Sequence, residues 1–275
     1  GLFDALSGLA PSTAAQIADR AGLQERYVRE WLNGATVGRV VEYDPEQGTY
    51  WLPPEHAACL TRAAGGDNLA SQAQFLAMFG LVEDDIVACF RNGGGVPYSK
   101  FPTFQAIAAE LGTAAYDADL IDSVLPLVPG LLERMRDGID VADVGCGQGH
   151  AINVMAQAFP ASRFTGLDLS VQAIESARAE AHALNLGNAT FEVRDIAALA
   201  GEFDLVTGVD VIHDQAQPQQ VLEAIRASLR PGGVFLCADV AASSDVQGNM
   251  DHPMGPLALH ALVVPLHDCV ARRSW

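Results

Sequence analysis

The feature that most constrains this chain is a glycine-rich turn near its middle, Asp143-Val144-Gly145-Cys146-Gly147-Gln148-Gly149-His150, which directly follows an apolar run at 140–144. Glycines in such a turn let backbone amides approach a ligand closely. Taken alone, the turn is weak evidence for one ligand, because dinucleotide-binding enzymes use a G-x-G-x-x-G form of it. Here the spacing is G-x-G-x-G.

Apolar runs alternate with helical segments from Gly138 onward, which is the pattern of a parallel α/β sheet. The predicted strands are 140–144, 163–167, 190–193, 203–209 and 234–240. The predicted helices between them are 149–159, 170–184, 197–200 and 218–229. The second half of the chain is therefore expected to be an α/β domain.

Four successive predicted strands end at or beside an acidic residue: Asp143, Asp168, Asp195 and Asp210. The carboxyl ends of the strands form the ligand-binding edge of an open α/β sheet. Asp168 can accept hydrogen bonds from both hydroxyls of a ribose, a position that fits NAD and S-adenosylmethionine alike. Asp195 adds a carboxylate at a position where it can contact the amino group of an adenine. This second carboxylate favours S-adenosylmethionine.

These motifs, together with the turn Leu229-Arg230-Pro231-Gly232-Gly233, resemble class I S-adenosylmethionine-dependent methyltransferases over about 140–240. The resemblance implies a Rossmann-like α/β fold with S-adenosyl-L-methionine as the cofactor. It places the cofactor-binding residues in the glycine turn and at the strand ends. They are Asp143, Gly145, Cys146, Gly147, Gly149, Asp168, Leu169, Asp195, Ile196, Val209 and Asp210.

The N-terminal segment has a different pattern. Residues 12–36 predict a helix, a tight turn at Gly22 and a second helix whose apolar stripe includes Tyr27. Two short alternating runs, 39–43 and 49–52, bracket a turn rich in Asp, Pro and Gly. A helix-turn-helix followed by a β-hairpin is a winged helix.

Charge argues against nucleic acid as a partner of this winged helix. The second helix carries Arg26 and Arg29 against Glu25 and Glu30, and the whole chain has a net charge of −18. Binding several phosphates requires clustered Lys and Arg on one face. We expect the segment to make a homodimer and to cover the substrate, with a DNA-binding transcriptional regulator that senses the cofactor as the alternative.

The winged helix extends the resemblance to two-domain enzymes that methylate oxygen atoms of small molecules, a group that includes bacterial proteins labelled transcriptional regulators. The segment 209–215 is similar to their fourth-strand motif, which implies that His213 is the general base on an acceptor hydroxyl. Gln215 stands where those enzymes usually have an aromatic residue. The alternative for His213 is a packing role, and Asp214 can orient it or cap the next turn.

A helical connector joins the two parts. Residues 67–92 are mostly apolar at helical spacing, and Gly93-Gly94-Gly95 ends that run. The glycines precede Tyr98 and Phe101, which predicts a loop that closes over a substrate; simple packing of the two aromatic rings is the alternative. The expected domains are a winged helix at 1–66, a connector and lid at 67–137, and the cofactor-binding domain at 138–275.

Five widely spaced cysteines without a C-x-x-C pair fit a reducing cytoplasm and predict no metal site. The apolar stretch 257–266 is too short to span a membrane. The fold that the resemblance implies continues with a helix and two antiparallel strands after the fifth predicted strand. Only 35 residues follow Val240, so we expect a truncated or frame-shifted C-terminus with these strands missing or altered.

Overall fold

The computed structural model describes residues 1–97, 100–101, 103–215, 217–239, 241–243, 245–252 and 255. It contains two compact units, Gly1–Phe75 and Leu76–Trp275. Among these described residues, no helix is both long and apolar enough to cross a membrane. The three-part division at 66 and 137 stays a prediction.

The first unit begins with three helices, α1 (Leu2–Leu6), α2 (Ala14–Ala21) and α3 (Glu25–Val37). The Thr13 hydroxyl caps α2 by accepting a hydrogen bond from the Gln16 amide, and Gly22 ends the helix in the left-handed conformation. Ile17, Val28 and Leu32 share one buried cluster. The helix-turn-helix prediction is confirmed, but Tyr27 is 77% exposed instead of lying on the buried stripe.

A β-hairpin follows, with β1 (Glu42–Asp44) antiparallel to β2 (Thr49–Trp51). Asp44 Oδ1 accepts hydrogen bonds from the amides of Glu46 and Gln47, which stabilises the predicted turn. The first strand is shorter than the predicted 39–43, since Arg39 has a positive φ of 60°. The helix α4 (Pro54–Leu60) comes next.

Short helices occupy the following apolar stretch. They are a 3-10 helix (Arg62–Asp67), α5 (Leu69–Gln72), α6 (Gln74–Gly80) and α7 (Glu83–Asn92). Met78 and Val82 are buried, but Leu76 and Phe90 are each 74% exposed. The apolar spacing of 67–92 therefore does not give one buried face, because short helices in succession do not keep a single apolar face aligned.

Five strands of the second unit form a parallel sheet in the order β5-β4-β3-β6-β7 within the described residues. They are β3 (Asp140–Val144), β4 (Arg163–Asp168), β5 (Ala189–Val193), β6 (Phe203–Val209) and β7 (Leu229–Ala238). The order reverses between β4 and β6 on either side of β3, which makes the carboxyl end of β3 the expected binding crevice. The Rossmann-like α/β prediction is confirmed.

Helices cover both faces of the sheet, so successive strand residues pack on opposite sides. Val141 contributes to the cluster beneath α9 (Leu131–Asp137), α10 (His150–Ala158) and α11 (Val171–Ala183). Val144 contributes to the cluster beneath α12 (Pro218–Ser228). Asp143 and Val141 therefore point to the face that α10 covers.

Further helical segments precede the sheet. The helix α8 (Phe104–Ala115) continues into a π-helix (Tyr116–Val124) and then a 3-10 turn (Leu125–Leu127). The π-helix packs on α10 through Leu120, which belongs to the same buried cluster. A one-residue-wider helical turn of this kind often lies beside a functional site.

The last strand differs from the prediction at both ends. Leu229 pairs with Phe203, and the register then shifts before Val234 pairs with Leu205, so the Arg230–Gly233 turn is a bulge inside β7 rather than a loop before it. The strand ends at Ala238 instead of residue 240. A short helix, α13 (Val246–Asn249), follows. The predicted C-terminal alteration stays a prediction, because 256–275 lie outside the described residues.

Candidate active site

The glycine turn is held against the neighbouring strand by hydrogen bonds. The amides of Gly145 and Cys146 both donate to the Leu167 carbonyl, at 2.8 and 3.0 Å. The Gly147 amide donates to Asp168 Oδ2 at 2.9 Å. The turn between β3 and α10 therefore takes its shape from the end of β4.

Two glycines of the turn have no room for a side chain. A Cβ on Gly145 would lie 2.3 Å from a methyl carbon of Val211, and one on Gly149 would lie 2.5 Å from both Ala177 and Phe191. Both glycines also have positive φ angles, 70° and 74°. The backbone can take this path only because these positions lack a Cβ.

Asp168 and Leu169 form a polar and an apolar surface next to each other. Asp168 Oδ1 accepts from the Ser170 amide at 2.8 Å, so both carboxylate oxygens are oriented by backbone groups. The Leu169 side chain is 54% exposed although it is apolar. A fixed carboxylate beside an open apolar side chain suits a ribose with an attached base.

Asp195 and Ile196 follow β5. Asp195 Oδ1 accepts from the Ala197 amide at 2.9 Å and caps a 3-10 helix (Ile196–Ala198). Ile196 is buried under the sheet. The carboxylate of Asp195 is exposed at the edge, where capping fixes its direction.

Asp143 lies at the bottom of an apolar cavity. The Thr207 hydroxyl donates to Asp143 Oδ1 at 2.7 Å. Burial raises the pKa of Asp143 to about 7, opposed by the Thr207 hydrogen bond and reinforced by the charge of Asp168. The cavity, which we call the Tyr116 cavity, also has walls from the π-helix, α10, β6 and β7. Its lining is Tyr116, Leu120, Val124, Asp143, Ala151, Met155, Thr207, Val209, Leu236 and Ala238.

Tyr116 was not predicted as a site residue, because nothing in its local sequence distinguishes it from a core tyrosine. Burial raises its pKa, and the nearby carboxylates of Asp143 and Asp210 raise it further, so the phenol keeps its proton. Tyr116 and the carboxylates at the ends of β3 and β6 therefore lie near one another.

Val209 is the last residue of β6, and Asp210 follows it directly. Asp210 has a positive φ of 50°, and its amide donates to the Ala238 carbonyl of β7 at 2.9 Å. Burial raises the pKa of the Asp210 carboxyl; the neighbouring His213 opposes this effect and Asp239 adds to it. The left-handed turn at Asp210 leads the chain directly into the segment that carries His213.

His213 is fixed by Asp239, a residue that sequence reasoning missed. Its Nδ1 donates to Asp239 Oδ1 in a short hydrogen bond. The amides of Ile212 and His213 donate to Asp239 Oδ2 at 3.1 and 3.2 Å. On the other side of the ring, Nε2 lies 3.5 Å from Asp214 Oδ1. Ligand atoms of Asp210, His213 and Asp239 lie within 4.8 Å of one another.

The remaining predicted site residues are Tyr98, Phe101 and Cys146. Phe101 is only 3% exposed, and Tyr98 lies outside the described residues, so their role in a lid stays a prediction. Burial raises the pKa of the Cys146 thiol, and its sulfur packs near Gly166. This favours a packing role for Cys146 over a nucleophilic one.

A parallel sheet in this strand order, with a glycine turn and carboxylates at its switch point, has the fold of class I methyltransferases. The chain combines this domain with an N-terminal winged helix-turn-helix domain. Residues 1–62 match the family described as "Rv2258c-like winged HTH domain", and residues 135–258 match the family described as "Methyltransferase domain". The resemblance inferred from the sequence is confirmed.

Several proteins with similar sequence or structure are methyltransferases. The ubiquinone biosynthesis O-methyltransferase of Leptothrix cholodnii is 36% identical over 107 residues, which are 36% of this chain and 44% of that protein. The match thus spans less than half of the relative's length.

Two solved structures share the fold across nearly the whole chain. Human N-acetylserotonin methyltransferase, solved with SAM, has a TM-score of 0.65 at 17% identity. The alignment covers 98% of this chain and 79% of the human protein's chain. NcsB1, an O-methyltransferase from neocarzinostatin biosynthesis, was solved with SAM and 2-hydroxy-5-methyl naphthoic acid. It has a TM-score of 0.61 at 17% identity, and the alignment covers 97% of this chain and 81% of the NcsB1 chain.

Proposed function

We propose that this protein is an S-adenosylmethionine-dependent methyltransferase that methylates a hydroxyl of a small molecule, with His213 as the general base. The observation that carries the proposal is the pairing of His213 with Asp239 at the same sheet edge as the glycine turn and Asp168. One edge thus offers both a nucleoside-binding surface and an oriented base.

The residues at this edge fit S-adenosylmethionine. Asp168 is positioned for the ribose hydroxyls, and Leu169 and Val193 are 54% and 46% exposed, so they offer apolar surface to an adenine ring. The carboxylates of Asp143 and Asp210 suit the positive charge of the sulfonium and ammonium groups. The cofactor, when bound, supplies an electrophilic methyl group.

The hydrogen bond between His213 and Asp239 determines which ring nitrogen acts. Because Nδ1 carries the proton that Asp239 accepts, Nε2 of the neutral ring keeps its lone pair and can take the acceptor's hydroxyl proton. Loss of that proton would make the acceptor oxygen a nucleophile for the methyl group that the bound cofactor would supply. Asp239 and Asp214 stabilise the imidazolium that results.

The competing role for Asp210, His213 and Asp239 is to bind a metal ion, because their ligand atoms lie close together. Asp239 argues for the histidine–carboxylate pair, because one of its oxygens accepts from the His213 ring and the other from two backbone amides. This is the arrangement that holds a general base in one tautomer.

The Tyr116 cavity does not define the acceptor. Its walls are mostly apolar, with Leu120, Met155 and Leu236 among them, but its free volume is about that of one water molecule. We also propose that the protein acts in the cytoplasm as a homodimer through its N-terminal domain, without a nucleic-acid partner, which its acidic charge supports.

The proposal is tested with S-adenosylmethionine labelled in its methyl group and a panel of small phenols and hydroxy acids. Wild-type protein should transfer label to at least one acceptor. With that acceptor, His213→Ala should lower kcat by about 10²–10⁴-fold and leave cofactor affinity unchanged. His182→Ala, which changes an exposed histidine of α11, is the matched control. A wild-type rate in His213→Ala would remove His213 from the mechanism.

A further inference from the structure

His150 joins two carboxylates that belong to different elements. It is the first residue of α10, directly after the glycine turn, and its side chain is 21% exposed. Its Nδ1 lies 2.6 Å from Glu180 Oε1 of α11, and its Nε2 lies 3.0 Å from Asp117 Oδ1 of the π-helix. We call this arrangement the Asp117–His150–Glu180 bridge.

The bridge requires a protonated ring. A neutral imidazole has one N–H, so it can donate to only one of two carboxylates; the other carboxylate would then face a nitrogen lone pair. Both ring nitrogens of His150 lie within hydrogen-bond distance of a carboxylate oxygen. Only the imidazolium donates to both.

The two sides of the bridge are not equally fixed. Glu180 accepts a second hydrogen bond from Asn153 Nδ2 at 2.7 Å, which ties it to α10 independently of His150. Asp117 is 60% exposed at its side chain. Loss of the proton from Nε2 would therefore release Asp117 rather than Glu180.

Asp117 directly follows Tyr116, whose ring lines the Tyr116 cavity together with Asp143. The hydrogen bond from His150 to Asp117 fixes the start of the π-helix to the first turn of α10. Because Asp117 and Tyr116 are adjacent, the contact that holds Asp117 also restrains the backbone that carries Tyr116.

We propose that protonated His150 is a positioning residue: it holds Tyr116 at the cofactor side of the cavity, and its deprotonation weakens cofactor binding by releasing the π-helix. This inference rests on the proposed function, since it assigns the edge beside Tyr116 to S-adenosylmethionine.

Apart from Asp117 and Glu180, the side chains that line the space beside His150 carry no charge, so these two carboxylates determine the protonation of the ring. A second cavity beside the ring is lined by Ala109 and Thr113 of α8, Gln148 of the glycine turn and Ser176 of α11. None of these four side chains titrates between pH 6 and pH 9. Burial lowers the pKa of His150, but its hydrogen bonds to Asp117 and Glu180 outweigh burial and raise it above the usual value.

Hydrogen exchange of the cofactor-free protein tests the bridge itself. Protection factors of the π-helix amides, corrected for intrinsic exchange, are compared between pH 6 and pH 9 in wild type, His150→Gln and Asp117→Asn. We expect the fall in protection between pH 6 and pH 9 to be several-fold larger in wild type than in either variant, where protection is low at both pH values and the ionisation of Asp143 accounts for the remaining change. His182→Gln, an exposed histidine of α11, should behave as wild type.

Titration with S-adenosylhomocysteine tests the consequence for binding. Affinity should fall by roughly threefold to tenfold from pH 6 to pH 9 in wild type, and His150→Gln should bind at the weaker level at both pH values. Equal protection at both pH values in wild type, or the wild-type pH dependence in His150→Gln, would overturn the inference. Failure of wild type to bind the probe would overturn the proposed function, while the exchange measurement would still decide whether the bridge titrates.

Discussion

The Nδ1 atom of His213 donates a short hydrogen bond to Asp239, whose other oxygen accepts from the amides of Ile212 and His213. The carboxylate therefore fixes the ring and the backbone that carries it. Because Asp239 follows β7 and His213 follows β6, the pair depends on the parallel register of these two strands.

Asp239→Asn should reverse the tautomer of His213. An asparagine oxygen can still accept from the two amides, which leaves its NH2 group facing Nδ1, and the ring must then carry its proton on Nε2. Nitrogen-15 NMR of histidine-labelled protein above pH 8 distinguishes the two tautomers without any acceptor. We expect the Nδ1–H form in wild type and the Nε2–H form in the variant.

The matched control is Asp245→Asn, which changes an exposed aspartate beyond the site. If Asp239→Asn left the His213 nitrogen signals as in wild type, the orienting role of Asp239 would be wrong.

Gly149→Ala should destabilise the second unit and weaken cofactor binding. The new methyl group would lie 2.5 Å from Ala177 and Phe191 at a backbone φ of 74°. We expect the free energy of unfolding to fall by about 2–4 kcal/mol. Gly187→Ala is the control, because a Cβ there meets nothing within 4 Å. Urea denaturation compares the two variants, and equal stabilities would contradict the account of the turn.

Asp143→Asn should stabilise the cofactor-free protein at alkaline pH. The folded pKa of Asp143 is raised to about 7, so its contribution to stability is complete below pH 4 and is lost as the pH rises through 7. The loss amounts to as much as about 4 kcal/mol. The asparagine oxygen can still accept from Thr207 and carries no charge.

Urea denaturation at pH 5 and pH 8 measures this effect. Wild type should lose more stability between the two pH values than Asp143→Asn does. An identical decline in both proteins would show that other groups are responsible.

The winged helix should not bind DNA with a strong dependence on salt. On α3, Arg26 lies 3.1 Å from Glu30 and Arg29 lies 3.5 Å from Glu25, so each arginine faces an acid on the same helix. Fluorescence anisotropy with duplex DNA should show no saturable binding at 50 mM salt at micromolar protein. Sequence-selective binding that weakens steeply with salt would support a transcriptional regulator instead.

The sequence predicted those parts of the fold that depend on local pattern. The apolar run before Asp143 and the glycines after it predicted β3 and its turn. Both are readable in the sequence because buried strands consist of apolar residues and positive φ angles favour glycine. Asp239 was missed for a specific reason: the predicted fifth strand extended to residue 240 and enclosed it. The strand ends at Ala238, so Asp239 belongs with the other acidic residues at strand ends.

Sequence patterns could not predict contacts between helices that are far apart in the sequence. The partners of His150 are 33 residues before it and 30 after it, and nothing in either segment marks them as partners. The exposure of Leu76 and Phe90 was also unpredicted, since periodicity reports a potential apolar face but not what covers it.

Calorimetric titration with S-adenosylmethionine tests the central claim most directly. Wild type should bind one equivalent per chain, and Asp168→Ala should bind at least about tenfold more weakly, because it removes the carboxylate proposed for the ribose hydroxyls. Asp245→Ala should bind as wild type. No binding to wild type, or undiminished binding to Asp168→Ala, would contradict the account.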